Sequence, residues 1–138
     1  MLHLEIVTPE RVSFNGMVEG LTVPSSEGTL GILPHHASLF AQLIDGEVKI
    51  NQGKDELYLS IGGGFVEVTG EKVVLLVTRA VNAMELQEQA TLKAQQEAKE
   101  ALSKQVTSEE RRTAQLIFRR SLIDLKLYRK LQSKQVRH

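Results

Sequence analysis

His35 and His36 stand side by side in the first third of this 138-residue chain. Imidazole is the side chain that most readily serves as a base or a metal ligand near neutral pH. Neighbouring residues on an extended chain point to opposite faces, so the pair does not readily share one metal. No Asp or Glu lies nearby in sequence to orient a ring, and no Ser-based motif accompanies them. A contact surface is the reading we prefer for the two histidines, against metal binding, catalysis or plain structure. Gly62-Gly63-Gly64 has the look of a phosphate loop but lacks the Lys-Ser/Thr and following helix that a phosphate cradle requires. We read it as a bulge or tight turn. Glu27, Asp45, Glu47, Asp55 and Glu56 sit mostly in turns, with no other catalytic group beside any pair. The absence of cysteine excludes disulfides, thiolate chemistry and thiol-ligated zinc. We expect no catalytic residue, no metal site and no cofactor.

The histidines close a distinctive stretch, Glu27-Gly-Thr-Leu-Gly31-Ile-Leu-Pro34-His35-His36-Ala-Ser38. Gly28 and Gly31 supply freedom where a side chain would clash or where φ must be positive. Pro34 fixes its own φ and extends Leu33. The expected result is a stiff, shaped surface loop, the kind of place where binding resides.

The elements that hold this loop read as strands over the first 80 residues. Leu2, Leu4 and Ile6 alternate with His3 and Glu5, the period of a half-buried strand. Val12 and Phe14, then Val18 to Val23, continue the pattern, with Pro9, Asn15-Gly16 and Pro24-Ser-Ser26 between segments. After the loop come Leu39 to Ile44, an Asp45-Gly46 hairpin signal, and Val48 to Ile50. Turns are expected at Asn51 to Asp55 and at Thr69 to Lys72, with strands at Leu57–Ile61, Val66–Val68 and Val73–Val77. The last of these lacks polar alternation, which predicts a central strand covered on both faces. Many short strands at this spacing predict an antiparallel β-sandwich. With aromatics at 4% and no Trp, its core must rest on Val, Leu and Ile.

From Asn82 onward there is no glycine or proline. Asn82 with Glu85 reads as a capping box, and Ala83, Leu86, Ala90, Ala94, Ala98 and Ala101 then fall on one helical face. Ser103 to Val106 reads as a turn. Thr107 with Glu110 begins a second capping box and a helix from Ser108 towards Gln132. The predicted class is α+β: an N-terminal antiparallel β-sandwich, residues 1–81, followed by a C-terminal antiparallel two-helix hairpin, residues 82–138.

The neutral total charge hides an asymmetry. Residues 1–84 carry five basic and ten acidic side chains, and residues 85–138 carry twelve basic and seven acidic. On the second helix Arg112, Arg119, Lys126, Lys130 and Arg137 fall within an arc of about 40° at helical spacing. Such a stripe suits nucleic acid, solvent or an acidic protein surface, although only Tyr128 supplies an aromatic beside it. Leu116, Ile117, Phe118, Leu122, Leu125, Leu127, Tyr128 and Leu131 spread over about two-thirds of the same helix. One partner helix covers a stripe of roughly 100°. The helix therefore needs a second surface, and two docking modes within a few kcal/mol are what a switch requires. No apolar run approaches the ~20 residues that span a bilayer, and the N-terminus lacks the pattern of a signal peptide.

Glu27-Gly28-x-x-Gly31-Ile32-x-Pro34-x-His36-Ala37 resembles the loop signature of the epsilon subunit of F-type ATP synthase. Leu4-x-Ile6-Val7-Thr8-Pro9-Glu10-Arg11 resembles that family's first strand, and Ser60 to Val68 its Gly-Gly strand. The order and spacing of these motifs match over nearly the whole chain. The resemblance implies a sandwich that docks on the gamma subunit and the ring of c subunits, with Glu27, Thr29, Gly31, His35 and His36 in the contact loop. It implies coupling of proton flow to rotation, with catalysis on the beta subunit. The hairpin would fold down or extend into the alpha/beta head, where it inhibits ATP hydrolysis. Arg112, Arg119, Arg120 and Lys126 are the candidates to face acidic residues of beta, which sets nucleic acid aside. Several bacterial members bind ATP through Ile/Leu-Asp-x-x-Arg-Ala on the hairpin. With Ala90 as the alanine, Glu85, Leu86 and Gln89 stand at the Leu, Asp and Arg positions, so weak or no ATP binding is expected. The implied location is peripheral, on the cytoplasmic face of a bacterial plasma membrane rather than the stromal face of a thylakoid. The reading from residues alone that competes with this is a free-standing adaptor whose basic hairpin binds an acidic protein or nucleic acid.

Overall fold

Alternation in the first strand sets the pattern for the first eighty residues. In β1 (Leu2–Val7), Leu2, Leu4 and Ile6 are fully buried, while His3, Glu5 and Val7 are half-exposed. The computed structural model describes the backbone of residues 1–136 and the side chains of residues 1–133. Nine further strands follow: β2 (Val12–Val18), β3 (Gly20–Ser25), β4 (Gly28–Ile32), β5 (Leu39–Leu43), β6 (Gly46–Gln52), β7 (Asp55–Ile61), β8 (Gly64–Thr69), β9 (Lys72–Val77) and β10 (Ala80–Asn82). They pair in the order β10-β7-β6-β3-β5-β8-β9-β1-β2, with β4 hydrogen-bonded to β3. The result is a β-sandwich. Its inward faces share one core that includes Leu4, Val18, Leu21, Ile32, Ile50, Val66 and Leu75. Each such side chain contributes roughly 1.5–3 kcal/mol on burial.

The turns follow residue chemistry. Gly53 and Gly70 adopt positive φ, 62° and 60°, and close the β6–β7 and β8–β9 hairpins. Four local expectations are corrected. First, β1 runs parallel to β9 (Leu4 opposite Val73), the one parallel pair among the described residues. Second, β9 alternates: Val73, Leu75 and Val77 are buried but Leu76 is 51% exposed. Its unbroken apolar run reflects an apolar outer face rather than two buried ones. Third, Asp45-Gly46 joins β5 to β6, which do not pair with each other. A Cβ on Gly46 would lie 2.9 Å from the Cβ of Pro24, and Asp45 Oδ1 accepts a bond from the Gly63 N–H at 2.7 Å. Close packing and a tether, not a hairpin, require this dipeptide. Fourth, the expected strand over Val18–Val23 breaks at Glu19, whose N–H bonds to the Asn51 carbonyl at 2.8 Å.

The chain divides into two compact units, Met1–Asn82 and Ala83–His138. The second begins with a 3-10 turn, Ala83–Glu85, and holds α1 (Glu88–Leu102) and α2 (Ser108–Val136). Asn82, the expected cap, leads into the 3-10 turn and not directly into an α-helix. Asn82 pairs with Leu59 as the last residue of β10, and α1 begins at Glu88 with no side-chain cap from Gln87. Ala98 is buried, while Ala90, in the first turn of α1, is exposed. The second cap forms as expected: the Glu110 N–H donates to Thr107 Oγ1 at 3.1 Å. With no glycine or proline to stop it, α2 continues past Gln132 to Val136. The helices are antiparallel, and Arg129 Nε near the far end of α2 lies 3.8 Å from Glu88 Oε1 at the start of α1.

Candidate functional site

The loop singled out in sequence is a hairpin tip, an edge strand and a turn. Ser25 and Gly28 close the β3–β4 hairpin around Ser26-Glu27. The Ser25 hydroxyl donates to the Gly28 carbonyl at 2.6 Å, and Gly28 takes φ 120°, which a side chain would oppose. Gly31 needs no such freedom: its φ is not positive, and a Cβ there would meet open space. Leu33-Pro34-His35-His36 forms a turn closed by the His36 N–H on the Leu33 carbonyl at 3.2 Å. His35 has φ 67°, the only non-glycine positive φ among the described residues. Proline followed by positive φ defines a type II turn, in which the third position ordinarily falls to glycine. Local strain is thus held at the loop's end. His36 Nδ1 lies 2.7 Å from the Ala37 carbonyl oxygen, which can only accept, so Nδ1 is the donor. Glu27, Thr29, Gly31 and His35 are exposed and His36 is half-buried.

The other candidates of the sandwich serve its architecture. The N–H groups of Gly62 and Gly63 bond to the Arg79 carbonyl and to Asp45, which takes two donors away from any phosphate. Tyr58 donates to Glu56 at 2.6 Å, and Lys49 pairs with Glu56 at 3.2 Å.

A surface that sequence reasoning missed lies on the outer face of the β5-β8-β9-β1-β2 layer. Phe65, Leu76, Val7 and Val12 stand opposite one another in register across four strands. Phe40 stacks on Phe65 with centroids 5.3 Å apart. Phe40, Phe65, Leu76 and Val12 are 45–65% exposed. Glu67 and Glu5 occupy the adjoining register row. A continuous apolar row with an acidic border is a candidate docking surface. The unbroken Val73–Val77 run was its signal, misread as burial by the sheet itself.

In the helical unit, Arg112, Arg119, Lys126 and Lys130 are exposed along α2. Arg120 is half-buried, and its Nε has no partner. It stands off the stripe formed by the others, and Arg137 lies outside the described residues. Ile117 and Leu122 remain exposed, 39% and 50%, beside buried Ser121 and Leu125. Small residues such as Ala94, Ala98 and Ala114 leave an open cleft of about 680 Å³ between α1 and α2 at their turn. Glu85 ends the 3-10 turn and Gln89 lies in the first turn of α1, with Leu86 between these elements. The three positions of the lost nucleotide motif therefore share no single helix.

The fold and its surfaces define a class. Residues 1–83 match the beta-sandwich domain of the ATP synthase delta/epsilon chain. The chain belongs to the epsilon chain family of ATP synthase. The epsilon chain of Ruthia magnifica is 30% identical over 135 residues, 98% of each chain. That of Dehalococcoides mccartyi is 35% identical over 130 residues, 94% of this chain and 93% of its own. That of Magnetococcus marinus is 37% identical over 109 residues, 79% and 80%. The fold also resembles a chain in the cryo-EM structure of the Euglena gracilis mitochondrial ATP synthase, OSCP/F1/c-ring. The TM-score is 0.67 at 21% identity, covering 97% of this chain and 81% of that one. A chain of the Tetrahymena thermophila mitochondrial central stalk and c-ring gives 0.61 at 19%, covering 94% and 95%.

Proposed function

We propose that this chain is a non-catalytic rotor subunit of an F-type ATP synthase. It couples proton translocation to ATP synthesis and restrains ATP hydrolysis through its helices. The observation that carries the reading is a division of surfaces: an apolar docking face on the sandwich and a row of cations on a separate helical unit. The sandwich binds gamma through the Phe40–Phe65–Leu76 face and meets the c-ring through the Glu27–His36 loop. Exposed Arg112, Arg119 and Lys126 engage an acidic surface of beta when the hairpin extends, with Arg120 beside them. No nucleotide sets the hairpin, because the Asp and Arg of the family motif are replaced by Leu86 and Gln89. The site of action is peripheral, at the cytoplasmic face of a bacterial plasma membrane. Among the described residues no helix is long and apolar enough to cross a membrane.

ATP hydrolysis by the matching alpha–beta–gamma complex tests the stripe. Changing Arg112, Arg119 and Lys126 together to Gln should raise the concentration of chain that half-inhibits hydrolysis about tenfold or more, since each interfacial charge pair contributes ~1 kcal/mol to binding and the effects add. Undiminished inhibition would remove these cations from the contact. The docking face is tested separately. Phe65→Asp places a charge where an apolar partner surface would lie, and should weaken gamma binding at least about tenfold. Because Phe65 points outward, the melting temperature of the isolated chain should change by no more than a few degrees. Unchanged binding would show that gamma docks elsewhere.

A further inference from the structure

We propose that the contact loop recognises its partner through its main chain. β4 then accepts an extended segment of the c-ring as an added strand, an inference that rests on the function proposed above. The geometry starts with the hairpin. Ser25 and Gly28 close a two-residue turn, so hydrogen-bonded and non-hydrogen-bonded pairs alternate from there. Pro24 stands opposite Thr29, lacks an N–H, and gives its carbonyl to the Ile44 N–H on its other side at 2.9 Å. Thr29 therefore takes no ladder bond from β3. By the same alternation Gly31, opposite Thr22, takes none either. The N–H and C=O groups of Thr29 and Gly31 face outward along an edge that pairs with no other strand among the described residues.

Proteins usually protect such an edge with charge, proline, a bulge or shortness. The other free strands show this. β10 is three residues long, and the Met17 carbonyl of β2 accepts a bond from Gln52 Nε2 at 3.4 Å. β4 is Gly-Thr-Leu-Gly-Ile, with no charge, no proline and two glycines. A side chain at Gly28 or Gly31 would meet nothing, so both positions leave clearance for an approaching backbone. Leu33, 64% exposed just beyond the strand, offers an apolar foothold. The occupant is an extended loop of at least three residues from the ring that this loop faces. Its own main chain pairs with Thr29 and Gly31, and no side-chain charge is required of it.

Two measurements on the full chain test this, using a purified gamma–c-ring complex as the probe. Amide hydrogen exchange should find the Thr29 and Gly31 N–H groups fast in the free chain and slowed about tenfold or more in the complex. Thr29→Pro removes an outward donor without touching the β3 ladder, a placement that edge strands tolerate. It should lower affinity about tenfold, whereas Thr29→Ala should stay within about threefold. Protection without the proline effect, or the reverse, would overturn strand addition. Binding of the wild-type chain with both amides still fast would overturn it while leaving the rotor reading intact. Failure of the wild-type chain to bind would remove the rotor reading, and this proposal with it. Protection that grows with the concentration of the chain alone would assign the edge to a second copy, against the proposal.

Discussion

A chain cut after Asn82 should bind the gamma-containing catalytic complex as the full chain does, and should leave its ATP hydrolysis running at the uninhibited rate. The full chain should slow that hydrolysis by about fivefold or more, which corresponds to ~1 kcal/mol in the barrier. The cut falls at the boundary between the two compact units, after the last pairing of β10, Asn82 opposite Leu59. It preserves the whole core, the outward Phe40–Phe65–Leu76 face and the Glu27–His36 loop. It removes every exposed cation of α2. Docking and restraint should therefore be separable by one cleavage. Steady-state hydrolysis measured at saturating chain, beside the dissociation constants for gamma, checks this. A truncated chain that still inhibits would transfer the restraint to the sandwich. A truncated chain that no longer binds would give the helices a share in docking.

Gly64→Ala should lower stability by about 3 kcal/mol or more, a large part of what a small domain has. Gly64 begins β8 opposite Val77, and a Cβ there would collide with the Leu76 carbonyl and the Val77 Cα. Both obstacles are backbone, so no rotamer relieves them. β8 or β9 must shift, which disturbs Val66, Leu75 and Val77 in the core. The melting temperature should fall by about 10 °C or more for a unit of this size. Gly31→Ala is the control, because its Cβ would meet open space, and it should move the midpoint by about 2 °C at most. A Gly64→Ala chain that melts within a few degrees of wild type would show that the β8–β9 contact yields easily.

Much of this architecture was legible because period-two alternation is a direct record of one buried face. β1, β7 and the hairpins at Gly53 and Gly70 came out where Leu2-Leu4-Ile6, Leu57-Leu59-Ile61 and the turn residues put them. Three misreadings share one cause: a local motif has more than one physical use. Asp45-Gly46 makes a hairpin only where the flanking strands pair, and here the glycine serves close approach to Pro24. Asn82 ends β10 opposite Leu59 and is followed by a single 3-10 turn, so the α-helix does not begin until Glu88. The Val73–Val77 run recorded two apolar faces without saying that one lies outside the sheet. The candidate loop was legible as turn-bounded and exposed, since Pro34 and Gly28 announce turns. That His35 adopts positive φ, and that Thr29 and Gly31 turn their main chain outward, depends on register with β3, which no single residue encodes. The apolar row across β8, β9, β1 and β2 was hidden for the same reason: its members are far apart in sequence and meet only through pairing.

The strand order also imposes a timetable on biosynthesis. β1 can pair with β2 as soon as both have emerged, but its other edge belongs to β9, with Leu4 opposite Val73. Such distant pairing is slow to form. The sheet cannot close until β9 has left the ribosome, and Leu2, Leu4 and Ile6 stay partly uncovered until then. The sandwich can thus close while the end of α2 is still being made, so on the function proposed above a nascent chain should be able to dock before it can restrain hydrolysis.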